Sequence, residues 1–317
     1  MVKILGHKFL IKYIVSITLL AFLLTQLDFS ALLHETGDLN IFLLLLSLIL
    51  IVCQIFFLNL RWHRYINVGN HNIDFKTSVL INIAGYFANI LFITSVGGII
   101  AKSGLAIRHG LSVTQALFAT FLDRFMTLAA LIIFSAISLP FLQNVINNEL
   151  LTMFSLSIIG VIAIITLTLL AFRSGVLREF ILSSRKRSRI TLMLRSYIED
   201  YELMLKTSLY SLIAQGFFIL SVYTLSLGVN ADVPIIEFLA LMPVLALISS
   251  LPISFGGWGV REGAFIYGLG LIGFSMESAF MLSVQVGLIT LIAPFIVGLP
   301  YLFKADLREF LLNTTKS

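Results

Sequence analysis

Long apolar runs alternate along this chain with short charged segments. Six largely uncharged stretches, about 9–27, 39–60, 112–139, 150–172, 207–228 and 278–303, are each of helix length. They match the roughly 20 residues that carry a helix across a hydrocarbon core of about 30 Å. Two further segments, 77–111 and 235–275, are apolar but interrupted by glycine and charge. In the first, Ser78 to Thr94 is helical in pattern, and the following arm carries Lys102, Arg108 and His109 and is short for a full crossing. Two half-helices meeting near Gly97-Gly98 fit this pattern better than two complete spans, because irregular backbone at that depth must be satisfied by protein or by a water-lined cavity.

Charge placement orients these elements. Lys3, Lys8 and Lys12 put the amino terminus inside, Asp28, Glu35 and Asp38 mark the next loop as outside, and Arg61, Arg64 and Lys76 return the chain to the cytoplasm. The loop from Phe141 to Leu150 has no Lys or Arg and lies outside, whereas 173–206 holds eight of them and is the strongest cytoplasmic marker. The segment 77–111 therefore enters from inside and returns inside, while 235–275 enters from outside and returns outside. Lys304 and Arg308 place the carboxyl terminus inside. The predicted fold class is all-α: a polytopic membrane protein with inverted-topology repeats, about 39–139 and 207–303, each containing a re-entrant broken-helix hairpin, joined by a basic cytoplasmic connector, 173–206. Residues 1–317 form a single integral membrane domain.

Composition agrees with the pattern. Of 317 residues, 59% are hydrophobic and 12% charged, against about 45–50% and about 25% in soluble domains. The net charge of +5 reports orientation and not nucleic-acid binding. The first stretch is too long for a typical signal-peptide core and lacks a small-residue cleavage site, so it reads as a retained anchor. Cys53 stands alone, which excludes a disulfide framework or thiol metal site. The histidines are scattered, and neither a metal set, a nucleotide-binding glycine loop nor a nucleophile motif is present. The expectation is no metal, no cofactor and no enzymatic activity.

The two hairpins share a motif. Ser95-Val96-Gly97-Gly98-Ile99-Ile100-Ala101-Lys102-Ser103-Gly104 and Ser254-Phe255-Gly256-Gly257-Trp258-Gly259-Val260-Arg261-Glu262-Gly263 match at the Ser, the Gly pair, a later cation and the closing Gly. A glycine-broken cationic element repeated in each half is how transporter sites are built. Paired glycines expose backbone amides, and the half-helix that follows adds its positive dipole end, so the gap favours an anion. Lys102 and Arg261 become a symmetry-related cation pair, Arg holding phosphate by a fork and Lys as a point charge. The plainer alternative is glycine for close packing and cations that snorkel to the interface.

Further residues surround this pair. Glu262 orients or neutralises Arg261. Pro252 helps break the helix. Asp123-Arg124 is costly inside a span unless it faces a polar interior: Asp123 pairs with Lys102, or Arg124 meets a substrate phosphate, or the doublet locks helices together. Asn82, Asn89 and Gln285 either line the cavity or serve as interhelical glue. Trp62 reads as an interfacial belt residue, and Trp258 as a cavity wall. Ile190 to Leu205 is amphipathic, either a helix on the anionic inner leaflet or only a topology determinant.

The run Pro252 to Gly263, together with Gly97-Gly98, Arg108-His109-Gly110-Leu111-Ser112 and Asp123-Arg124, resembles the lysylphosphatidylglycerol synthase transmembrane-region family. Family members usually carry an acidic residue after the first glycine pair and Arg at the position of Lys102, where this chain has Ile99 and Lys102. The resemblance implies a flippase-like membrane domain that moves anionic or modified lipids between leaflets, without the soluble synthase domain fused to it in some relatives. It also implies a phospholipid, glycolipid or polyprenyl-phosphate-linked substrate. The site residues expected on this reading are Gly97, Gly98, Lys102, Asp123, Arg124, Gly256, Gly257, Trp258, Arg261 and Glu262. The partners are membrane lipids with an anionic headgroup and, in some settings, a separate envelope-lipid or glycan synthesis enzyme; self-association is open. Two rival readings are an ion-coupled transporter of a soluble anion, with Asp123 or Glu262 as the proton-linked carboxylate, and a membrane-embedded lipid-modifying transferase. A non-transporting scaffold is a third.

Overall fold

A computed structural model describes Thr25 and residues 40–68, 71–91, 95–143, 145–173, 189–229, 235–250 and 259–302. Its elements in chain order are α1 (Ile41–Ile66), α2 (Phe75–Leu91), α3 (Ser95–Arg108), α4 (Val113–Ser138) with a 3-10 turn at Leu139–Leu142, α5 (Asn148–Arg173), α6 (Arg189–Glu199), α7 (Tyr201–Ser226), α8 (Ile235–Ser250), α9 (Val260–Gly270) and α10 (Met276–Leu302). The described residues are all helix and connecting turns. Four of the helices, α1, α4 with its 3-10 turn, α7 and α10 up to Gly298, are long and apolar enough to cross a membrane. Apart from Thr25, the predicted span 9–27 lies outside the described residues.

One order of lengths occurs twice. In α1 to α4 the helices run to 26, 17, 14 and 26 residues, and in α7 to α10 to 26, 16, 11 and 27. The short pair α2–α3 is antiparallel: Gly85 meets Lys102 where Asn89 meets Gly98. At 1.5 Å per residue these arms are about 25 and 21 Å long, shorter than the long helices on either side. In α8–α9, Leu245 lies over Gly268, and Pro243 sits inside α8, where its ring removes an amide from the ladder.

The punctuation is also duplicated. After α3, Gly110 adopts φ +98°, its amide bonds the Ile107 carbonyl, and the Leu111 amide reaches the Ala106 carbonyl. That is a Schellman stop, which needs a residue that tolerates positive φ. Ser112 then caps α4 in a reciprocal box with Gln115. After α9, Gly273 adopts φ +92°, with Gly273 and Phe274 amides bonded to the Gly270 and Leu269 carbonyls. Ser275 Oγ then accepts the Ser278 amide at the start of α10. Gly110-Leu111-Ser112 and Gly273-Phe274-Ser275 therefore do the same work in each half.

Helices α1 and α7 run antiparallel through the centre. Ser47 Oγ lies 2.6 Å from Ser221 Oγ, Phe57 stacks on Phe217, and Arg61 Nη1 donates to Ser211 Oγ, so the partner number falls as the α1 number rises. Around this pair the packing is reciprocal. The first arm of each hairpin packs on the last long helix of the other half, α2 on α10 and α8 on α4, and α1 likewise meets α10 as α7 meets α4. Buried apolar residues form one large cluster spanning both halves and a smaller one around Trp62, Tyr65 and Ile81.

The amphipathic helix α6 joins that smaller cluster. Tyr197 is buried against Tyr65, its hydroxyl lies 2.9 Å from Thr207 Oγ1, and Met193, Leu194 and Ile198 pack beside it. Of the apolar face that the sequence offered either to a lipid leaflet or to no binding role, Tyr197 is covered by protein while Tyr201 is exposed, because a half-buried stripe of this kind is satisfied by any apolar surface. Burial raises the Tyr197 phenol above its ordinary value.

Candidate functional site

Two ion-paired centres and a cavity beside them lie among the described residues of the bundle. The first centre is built on three helices. Asp123 of α4 accepts from Arg61 of α1, Nη2 and Nε reaching Oδ1 at 2.7 and 3.0 Å, and from Lys102 of α3, Nζ reaching Oδ2 at 2.8 Å. Arg61 is 1% exposed; its Nη2 also donates to the Asp123 carbonyl and to Thr127 Oγ1. Lys102 Nζ sits 4.0 Å from the centre of the Trp62 ring, a cation–π contact, and its stem lies across Gly85, where a Cβ would meet Lys102 Cγ at 2.3 Å. Two cations share one carboxylate, leaving this centre one formal positive charge in excess.

The second centre follows α9's start. Gly259 adopts φ +86° at the N-cap, a conformation glycine enters without penalty, and its amide donates to Glu262 Oε2 at 2.5 Å. Glu262 is fully buried, and its Oε1 accepts Arg261 Nη2 at 2.6 Å and Nε at 3.1 Å. Arg261 Nε also reaches Ser283 Oγ of α10. The guanidinium lies over Gly287, where a Cβ would meet Nη2 at 2.4 Å. Each hairpin cation is thus held by a carboxylate and laid across a glycine, Lys102 over Gly85 and Arg261 over Gly287.

A cavity of about 220 Å³ lies where α1, α4, α7, α8, α9 and α10 converge, lined by Gln54, Thr127, Leu131, Gln215, Phe218, Ala246, Ser249, Ser250, Arg261, Phe265 and Val286. Thr127 couples it to the first centre, since the same hydroxyl accepts Arg61 Nη2 and donates to the Asp123 carbonyl. Gln54 and Gln215 come from the central antiparallel pair and both line this space.

The residues singled out from sequence are placed as follows. Lys102 and Asp123 meet, and so do Arg261 and Glu262. Arg124, next to Asp123, turns to the exposed side of α4. Gly97 and Gly98 are buried in the first turn of α3, so the pair itself is helical. The Gly98 amide donates to Asn89 Oδ1 at 2.7 Å, and the missing Cβ makes room for that amide group, which would stand 2.3 Å from it. Asn82 bonds Asn59 at 2.5 Å. Asn82 and Asn89 thus act as polar contacts between helices. Gly256, Gly257, Trp258 and Pro252 lie outside the described residues.

Trp62 corrects an expectation. It is fully buried under Lys102, not in an interfacial belt, because the face of its ring shields an ammonium that would otherwise lie against aliphatic side chains. Arg61 was legible only as an orientation marker, yet with Glu262 it is one of two almost wholly buried charges among the described residues. The available signal was Asp123, a carboxylate in a span that requires a cation, and the apolar neighbours Leu58, Leu60 and Trp62 around Arg61. Gln54 and Gln215 gave no signal beyond being amides in apolar runs.

Long apolar helices enclosing charged pairs and a polar chamber define a multi-pass membrane protein. The chain belongs to the lysylphosphatidylglycerol synthase TM region family, whose model matches residues 9–298, and this ties it to lipid handling. No curated protein matches the chain.

Proposed function

We propose that this chain is a flippase-like translocator of a lipid with an anionic or modified headgroup, in the cytoplasmic membrane with both termini inside. The observation that carries this reading is the chamber on the α1–α7 axis, with a charged centre from each half beside it. The antiparallel α1–α7 pair and the reciprocal packing of α2 on α10 and α8 on α4 support two halves related by a twofold axis in the membrane plane. On this reading α2–α3 and α8–α9 are re-entrant hairpins entering from opposite faces, and the repeats are about 39–139 and 207–303.

Lys102 and Arg261 serve as the two phosphate-seeking cations. Each is held by a carboxylate, Asp123 or Glu262, until a headgroup phosphate competes for it. Breaking one ion pair while forming another keeps every buried charge compensated, which a low-dielectric interior demands. The hairpin that carries the cation is then released from its carboxylate, and hairpin movement opens the chamber alternately to either leaflet. The chain translocates its lipid without altering it, and a separate envelope-lipid or glycan synthesis enzyme supplies or consumes that lipid.

The test is headgroup translocation in proteoliposomes. Arg261→Ala and Lys102→Ala each slow it at least tenfold, whereas Gly104→Ala, whose Cβ would meet nothing within 4 Å, leaves it unchanged. Wild-type rates in both cation variants contradict the mechanism. Uptake of a soluble anion driven by a pH or sodium gradient, without lipid, supports the coupled transporter instead.

A further inference from the structure

We infer that the chain holds its lipid in a two-part site, with a hydroxyl-bearing headgroup between Gln54 and Gln215 in the chamber and one hydrocarbon chain in the groove between α4, α7 and α8. This rests on the lipid-translocator reading and adds to it which headgroup chemistry is recognised and where the tail lies.

The chamber side starts from Gln215. It is 4% exposed, lines the cavity, and has no hydrogen-bond partner among the described residues; Gln54, half-buried on the same cavity, has none either. A buried amide carries two donors and two acceptors, and leaving them unmatched costs free energy. Two amides lining one space suit a group that both donates and accepts, which a hydroxyl does and a bare phosphate does not. Ser249 and Thr127 add hydroxyls on the same wall, and Arg261 places a cation beside them. The chamber's volume of about 220 Å³ is about seven times one liquid water's share, the scale of a glycerol or single-sugar headgroup.

The tail side is a groove of about 420 Å³, lined by Phe134 and Ile137 of α4, Gly216 and Leu220 of α7, and Ala240 and Pro243 of α8 among others, almost wholly apolar. It continues the chamber along the same three helices. Leu131 of the chamber is followed one turn later by Phe134 of the groove, Gln215 is followed by Gly216, and Ala246 is preceded one turn earlier by Pro243. A molecule polar at one end and hydrocarbon at the other fits this sequence of walls, and Ile137 and Leu220 on the rim are 62% and 48% exposed. The groove's floor at Gly216 is open, with nothing within 4 Å of an added Cβ.

The test is lipid binding by the purified full chain in detergent, read by native mass spectrometry. Dioleoyl phosphatidylglycerol and dioleoyl phosphatidylethanol have the same charge and chains and differ in hydroxyls, and glycerol phosphate has the headgroup without a tail. The wild type binds phosphatidylglycerol about 5- to 10-fold more tightly than phosphatidylethanol, the scale of one or two hydrogen bonds, and binds glycerol phosphate at least tenfold more weakly still. Gln54→Ala with Gln215→Ala abolishes the preference between the two lipids. Gly216→Phe and, as a smaller step, Gly216→Leu weaken both lipids while leaving glycerol phosphate unchanged, and Gly104→Ala, outside both parts of the site, leaves all three unchanged. Equal binding of the two lipids by the wild type, or full lipid binding by both groove-filling variants at unaltered melting temperature, overturns the inference. Binding as described with no translocation in proteoliposomes would instead sink the translocator reading and leave the site standing.

Discussion

Asp123 stands between Arg61 and Lys102, and removing its charge strands both cations inside the bundle. Asp123→Asn should therefore lower stability by about 3–5 kcal/mol, the usual consequence of orphaning a buried charge, seen as a lower denaturation midpoint in detergent. Replacing both cations as well, in Asp123→Leu with Arg61→Met and Lys102→Met, should recover much of that loss, since apolar residues of similar size are tolerated where an unpaired ion is not. The glycines give a second contrast. Gly85→Ala pushes on the Lys102 stem at 2.3 Å, whereas Gly104→Ala on the neighbouring helix meets nothing. The first should destabilise, and the second should be neutral or stabilise by up to about 1 kcal/mol. At this scale the sequence was legible where a charge demanded a partner: the pairs Lys102–Asp123 and Arg261–Glu262 follow from ions in apolar runs. It was illegible where one residue type serves two ends, since an Arg near a helix terminus is an orientation marker until its neighbours are known to bury it.

The helices were readable from length and apolarity, and 39–60, 112–139, 150–172, 207–228 and 278–303 each fall on a long helix. Their ends were less so: α1 runs on to Ile66 and α7 begins at Tyr201, because Arg61, Trp62 and Tyr65 are buried by tertiary contacts that hydropathy does not register. The break in the first hairpin was assigned to its glycines, but glycine costs little in a first turn whose amides lack intrahelical partners, and the pair sits inside α3. Duplication of Gly110-Leu111-Ser112 as Gly273-Phe274-Ser275 was in plain view as sequence and gains meaning only when both glycines are seen at positive φ. The antiparallel centre is testable on its own. In a Cys53→Ala background, Ser47→Cys with Ser221→Cys should cross-link under mild oxidation, given their hydroxyl oxygens 2.6 Å apart. Ser47→Cys with Thr207→Cys, which a parallel arrangement would bring together, should not.

Across the whole molecule, every packed pair within one half has its counterpart in the other, and the two central helices run in opposite directions. On the proposed reading, a twofold relation that reverses its central helices would turn one hairpin's mouth to one face of the membrane and the other hairpin's mouth to the opposite face. The charge pattern alone led to the expectation of that topology, because Lys and Arg cluster at alternate loops; the chamber was not foreseeable, because it is composed of one to three residues from each of six helices. Labelling with a membrane-impermeant maleimide decides whether the halves are opposed. Asn72, exposed at the mouth of the first hairpin, and Leu271, 38% exposed at the mouth of the second, are each replaced by cysteine in the Cys53→Ala background. Opposed halves require that Leu271→Cys react in intact cells and Asn72→Cys only in inside-out vesicles. Reaction of both from the same side would contradict the head-to-foot arrangement and, with it, alternating access through the chamber.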